Sequence, residues 1–195
     1  MFHTPSSTPG RWSAIAGAGI TLVGIALLLI PVGGRDTAVP ITGWALVAAG
    51  LLEFASGLKS SRAPVRRIEL LMAGVTLGAA LLVLLRPAAY PLVFVAITCL
   101  AIRGVGAVAA AFFSSTAVRW WVLARGAFDI LLAAVLTTGA PLSAVISTIS
   151  GAKWPRGGAE VLTNFVAVSI LAAGLSLLAI ALTGHKARGE ADPSA

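Results

Sequence analysis

Six apolar runs, each near the length that crosses a bilayer, dominate this chain and limit what it can become. An α-helix rises about 1.5 Å per residue, so roughly 20 residues cross the hydrocarbon core. Runs of that length occupy Trp12–Ile30, Ile41–Leu58, Ile68–Leu85, Leu92–Phe113, Trp120–Thr138 and Val161–Leu182. Composition removes the soluble alternative. The chain has 195 residues, 58% hydrophobic and 11% charged, with a mean hydropathy of +0.97. A soluble domain carries about 25% charged residues, and so few charges cannot cover so large an apolar fraction. The expected fold class is an all-α membrane protein with six transmembrane helices.

The punctuation between the runs agrees. "PVGGRDTAVP" separates spans one and two, "SSRAPVRR" spans two and three, and "RPAAYP" spans three and four. Pro64 is expected to end helical structure between spans two and three. The first run is long for a signal peptide, and "PVGG" lacks a small-x-small cleavage site, so it reads as a retained helix. Trp12, Trp44, Tyr90, Trp120 and Trp121 fall near predicted span ends, where amphipathic rings favour the headgroup level.

Lys and Arg set the orientation. The side holding both termini has Arg11, Lys59, Arg62, Arg66, Arg67, Arg119, Lys186 and Arg188; the other has Arg35, Arg86, Lys153 and Arg156. Cytoplasmic loops concentrate basic residues, so both termini are expected in the cytoplasm. That reading also accounts for the net charge of +7 without nucleic acid. Residues 1–11 and 183–195 are then cytoplasmic tails, and residues 12–182 a single transmembrane domain.

The spans repeat. Each odd-numbered span runs into a proline, in "GIALLLIP", "ALLVLLRP" and "AVLTTGAP", and Pro31, Pro87 and Pro141 are spaced by 56 and 54 residues. Each even-numbered span carries a small-residue motif, in "AAGLLEFASGL", "AIRGVGAVAAAF" and "LAAGLSLLAIAL". Aligning Gly50, Gly104 and Gly174 gives spacings of 54 and 70, so the third unit holds roughly 16 extra residues. A fixed period of this size marks a repeated supersecondary unit. The unit is a helical hairpin, present as 12–58, 68–113 and 120–182.

Three such hairpins, with a proline closing the first helix and a glycine-apolar motif in the second, resemble the HdeD family. These are bacterial inner-membrane proteins built from a short repeat. The resemblance covers about Arg11 to Leu182 and implies multi-pass placement in the cytoplasmic membrane. It also implies a non-enzymatic role related to envelope stress or acid resistance, and it supplies no catalytic residues. The long insertion after Pro141 departs from the compact third repeat of that family. Its segment 142–158 places Leu142, Val145, Ile146 and Ile149 at helical spacing, which predicts a short amphipathic helix lying at the membrane surface or capping the bundle.

Small residues supply packing faces in lipid, where the hydrophobic effect does not drive helix association. Gly74/Gly78, Gly106/Ala110 and Ala172/Ser176 are pairs of that kind. They are expected to pack within the bundle, with a homo-oligomer or membrane-protein partner as the alternative. Membrane lipid is the remaining expected partner.

Four charges lie within the spans rather than at their edges: Glu53, Arg103, Arg125 and Asp129. Each costs about 2.5–3.5 kcal/mol by insertion scales and is by default a functional-site candidate. From residue counts, Arg103 and Asp129 lie about 15 and 14 Å from the cytoplasmic end, while Glu53 and Arg125 lie about 8 Å from it. Depth therefore pairs Arg103 with Asp129 and Glu53 with Arg125. Arg125 and Asp129, four residues apart, could instead bridge along one helix.

Two functions compete for this network: a structural lock that fixes helix order, and the polar lining of a small transporter or channel; a membrane enzyme acting on lipids or their headgroups is a weaker third. The repeat argues against a ring-type filter, because no charge recurs three times. Catalysis is not expected. There is no HExxH motif or Gly-rich phosphate loop, and no intramembrane histidine to activate a Ser, Thr or Cys. With Cys99 as the one cysteine and His3 and His185 in the polar tails, neither a disulfide, a metal site nor a cofactor is expected.

Overall fold

A computed structural model describes residues 9–30, 35–60, 63–85, 91–114, 116–138 and 158–189. They form helices α1 (Pro9–Leu29), α2 (Arg35–Leu58), α3 (Ala63–Leu85), α4 (Leu92–Phe112), α5 (Thr116–Thr138) and α6 (Gly158–Gly189). Each contains a stretch long and apolar enough to cross a membrane. The chain is a multi-pass membrane protein, all-helical among the described residues. The amphipathic segment expected at 142–158 lies outside the described residues, apart from Gly158 at the start of α6.

Two prolines sit differently from expectation. Pro64 is the second residue of α3 rather than a separator, and Pro40 is the sixth residue of α2, whose start lies upstream of Ile41. The first turn of a helix tolerates proline, because its N–H groups have no intrahelical acceptor to lose. That holds for Pro64, and Pro40 falls just past the same region. The polar ends of α1 and α6 likewise run past the apolar cores, to Pro9 and Gly189.

The helices form a ring in chain order, closed by α6 against α1, and α6 also reaches inward to α2 and α4. It is the most buried span and the most apolar one. The closest contacts are not those within the hairpins. They join α1 to α6, α2 to α3 and α4 to α5.

Glycines make these approaches possible. A Cβ on Gly174 would collide with Thr21 and stand 2.9 Å from the Gly17 carbonyl oxygen. One on Gly126 would stand 2.8 Å from the Gly104 carbonyl oxygen, and one on Gly50 would stand 2.8 Å from Leu77 Cγ. Helix backbones that touch in this way gain the dispersion contacts that hold a bundle together in lipid.

Gly74 and Gly78 behave otherwise. Nothing lies within 4 Å of a Cβ built on either, so this GxxxG pair does not pack inside the bundle. Gly106 does, with Met72 Cγ 3.1 Å from its Cβ position.

The interior is correspondingly fine-grained. Its fully buried residues include Ala49, Ala73, Ala80, Ala107, Ala167 and Ala173, interleaved with Ile20, Leu27 and Val83. The outer surface carries Leu22, Leu29, Leu71, Leu85, Phe94 and Leu131, the apolar exterior that lipid covers.

Candidate functional site

Four charged side chains and two hydroxyls gather at the centre of the bundle, and five helices supply them. Glu53 comes from α2, Thr76 from α3, Arg103 from α4, Arg125 and Asp129 from α5, and Ser169 from α6. Glu53, Arg103 and Asp129 are 6%, 3% and 1% exposed, and Arg125 is 10% exposed.

Glu53 is the hub. Arg103 grips it with a fork, Nη2 donating to Oε1 at 2.7 Å and Nη1 to Oε2 at 3.1 Å. Arg125 Nη2 donates to the same Oε1 at 2.7 Å. The Thr76 hydroxyl accepts from Arg103 Nη1. Its own proton faces two acceptors, Glu53 Oε2 at 3.1 Å and the Met72 carbonyl at 3.0 Å. A planar guanidinium suits this task, because its parallel N–H groups match the two carboxylate oxygens.

Asp129 stands slightly apart. Ser169 Oγ donates to its Oδ1 at 2.7 Å, while Arg103 Nε lies 3.7 Å from Oδ2. Among the described residues, Arg103 Nε, Arg125 Nε and Asp129 Oδ2 have no hydrogen-bond partner.

Both pairings inferred from depth are present as ion pairs, Glu53 with Arg125 and Arg103 with Asp129. Depth alone missed the strongest contact, Arg103 to Glu53. A long guanidinium stem covers the difference in level between the two Cα positions. Arg125 and Asp129 form no ion pair with each other among the described residues. Two cations and two anions make the network neutral if all four are ionised.

Sequence reading also missed Thr76, Ser169 and Glu69. Hydroxyls in apolar helices commonly bond their own backbone, as Thr21, Thr137 and Thr183 do to the carbonyls four residues earlier. Nothing local separates Ser169, which spends its proton on another helix, from those. Glu69 is half-buried near the start of α3. It bonds Ser60 and lies close enough to Arg125 to interact electrostatically. A further polar pair, Thr42 with Thr163, joins α2 to α6 at 3.0 Å on the other side of the centre.

Beside the network runs a narrow cavity of about 20 Å³ between α2, α3, α4 and α6. Val83 lines it near the end of α3, Leu92, Val95, Cys99 and Arg103 line it from successive turns of α4, and Ser169 lines it from α6. The wall is otherwise apolar. No group of three or more His, Cys, Asp or Glu side chains able to hold a metal ion occurs among the described residues.

No family model matches the sequence, and comparison with curated proteins and with solved structures finds no match.

Proposed function

We propose that this chain is a non-enzymatic multi-pass protein of the bacterial cytoplasmic membrane, acting through its structure and through contacts with other membrane components. One observation carries the reading: the intramembrane charges are spent on one another. Glu53 takes both arginines, and Asp129 takes Ser169 and faces Arg103. Buried pairs of this kind are weak contributors to net stability, but they penalise any arrangement that separates them. Here they tie α2, α4 and α5 into one order.

The architecture in this reading is three HdeD-like hairpins with both termini cytoplasmic. The glycines that align in the repeat support it: Gly50 faces α3, Gly104 faces α5 and Gly174 faces α1, each at a close helix crossing. The preceding positions, Ala49, Arg103 and Ala173, are all buried. Arg103 is thus the one charged residue in a slot that is otherwise alanine. An envelope-stress role, including acid resistance, is the physiological setting that this resemblance implies.

A second reading, a small transporter or channel, is favoured by the cavity that reaches Arg103 and Ser169. Ion and small-solute flux in liposomes separates the two. Under the structural reading, liposomes bearing the wild-type protein leak no faster than empty ones. A flux that Asp129→Asn abolishes would replace that reading with transport.

A further inference from the structure

The contact between Arg103 and Asp129 is the loose joint of the network. Nε and Oδ2 are 3.7 Å apart, and neither has a hydrogen-bond partner among the described residues. Their side chains are only 3% and 1% exposed, so bulk solvent does not satisfy them. A polar contact wider than about 3.5 Å commonly has a water between its members.

The chemistry of the gap defines what fits. Arg103 Nε–H offers a donor and Asp129 Oδ2 an acceptor. The complement is a molecule that accepts one hydrogen bond and donates another. An anion would meet the carboxylate of Asp129, and a cation the guanidinium of Arg103. Ser169 Oγ gives its proton to Asp129 Oδ1 but keeps lone pairs to receive a third bond.

Space is available beside Arg103 and Ser169, the two of these three residues that line the cavity. The cavity of about 20 Å³ is lined by Arg103 and Ser169, and one water needs roughly 10–15 Å³ and two to four polar partners. We propose that Arg103, Asp129 and Ser169 form a water-binding site in the middle of the bundle, beside this cavity. The water accepts from Nε, donates to Oδ2 and bonds Ser169. On the other side of the site, the Arg103–Glu53–Arg125 contacts close the bundle.

The chain carries its own reporter. Cys99, the one cysteine, lies in the cavity wall four residues from Arg103. Met72 is also buried, but it packs against Gly106, outside the cavity. X-ray-generated hydroxyl radicals arise from water and oxidise sulfur beside it. The test applies such radicals to the full chain in lipid nanodiscs and reads Cys99 and Met72 by mass spectrometry, each corrected for its intrinsic reactivity. Cys99 is expected to oxidise several-fold faster than Met72. Ala96→Leu from α4 and Ala79→Leu from α3, which fill the cavity, are expected to lower Cys99 oxidation several-fold and leave Met72 unchanged. Equal corrected rates in the wild-type protein would overturn the proposal. So would an unchanged Cys99 rate in either filled variant that remains monodisperse. If neither variant folds, the wild-type comparison decides alone. The result is separate from the flux assay, because a hydrated site is compatible with a protein that transports nothing.

Discussion

Arg103 and Glu53 are joined by two hydrogen bonds, Nη2 to Oε1 at 2.7 Å and Nη1 to Oε2 at 3.1 Å, across the centre of the bundle. They sit on α4 and α2, whose backbones are not among the closely packed pairs. Side chains alone therefore make this link, and with Arg125 on the same carboxylate it spans three helices. Asp129 shares Arg103 only at 3.7 Å.

The unequal distances predict unequal coupling. Double-mutant cycles built on Arg103→Gln should give a larger interaction energy with Glu53→Gln than with Asp129→Asn. Glu53→Gln alone leaves two buried guanidinium groups facing one carboxylate, a loss of about 3–5 kcal/mol by analogy with broken buried pairs. Thermal or steric-trap unfolding in lipid provides the measurement. Equal coupling to both acids would show that charge balance, not hydrogen bonding, governs the network.

Charge and hydrogen bonding can also be separated at Asp129. Asp129→Asn keeps an oxygen for the Ser169 hydroxyl but leaves the network with one excess positive charge. Ser169→Ala keeps the charge and removes one hydrogen bond, an expected loss of about 1–3 kcal/mol. The asparagine variant should therefore unfold at the lower temperature. A reversed order would mean that the Ser169 hydrogen bond outweighs the charge at this position.

The six helices were legible because length and hydropathy suffice to mark a span. The four buried charges were legible for the same reason, since any charge within such a run stands out. Their partners were less so. Counting residues from a span end places a Cα but not the tip of an arginine, so depth pairs Glu53 with Arg125 and leaves out the contact of Glu53 with Arg103. Thr76 and Ser169 carried no local signal, because a hydroxyl that bonds its own helix and one that bonds a neighbour look alike in sequence. The GxxxG pair failed for a related reason. Spacing puts Gly74 and Gly78 on one face of α3, but only the packing of the other helices decides which way that face points.

That contrast yields a paired test on glycine. Gly174→Ala places a methyl group against Thr21 and the Gly17 carbonyl, so α1 and α6 must separate. Overpacking of this kind costs about 1–3 kcal/mol. Gly74→Ala and Gly78→Ala meet open space and should cost no stability, with a gain of up to about 1 kcal/mol from helix propensity. A large loss at Gly74 in a monomeric preparation would contradict the observed packing. A loss seen only where copies associate would instead assign that face to a homo-oligomer.

Orientation supplies the last prediction. Lys59 lies over the Trp12 ring at 5.7 Å, which sets the end of α2 beside the start of α1. Arg119 lies over Phe112 at 5.5 Å, which does the same for α4 and α5. Arg66 and Arg67 are exposed near the start of α3, at the end of the bundle that also carries Lys59. Basic residues flanking short loops are retained in the cytoplasm, so this end is expected to face inward. A reporter fused after residue 195 should be active if it works only in the cytoplasm and silent if it works only outside. Replacing Lys59, Arg62, Arg66 and Arg67 together with Gln leaves Arg11, Arg119, Lys186 and Arg188 against Arg35, Arg86, Lys153 and Arg156. The bias then disappears, and the variant should insert in both orientations, with both fusions partly active. If the wild-type chain gives the opposite reporter pattern, the basic end faces outward and the positive-inside reading of this sequence fails.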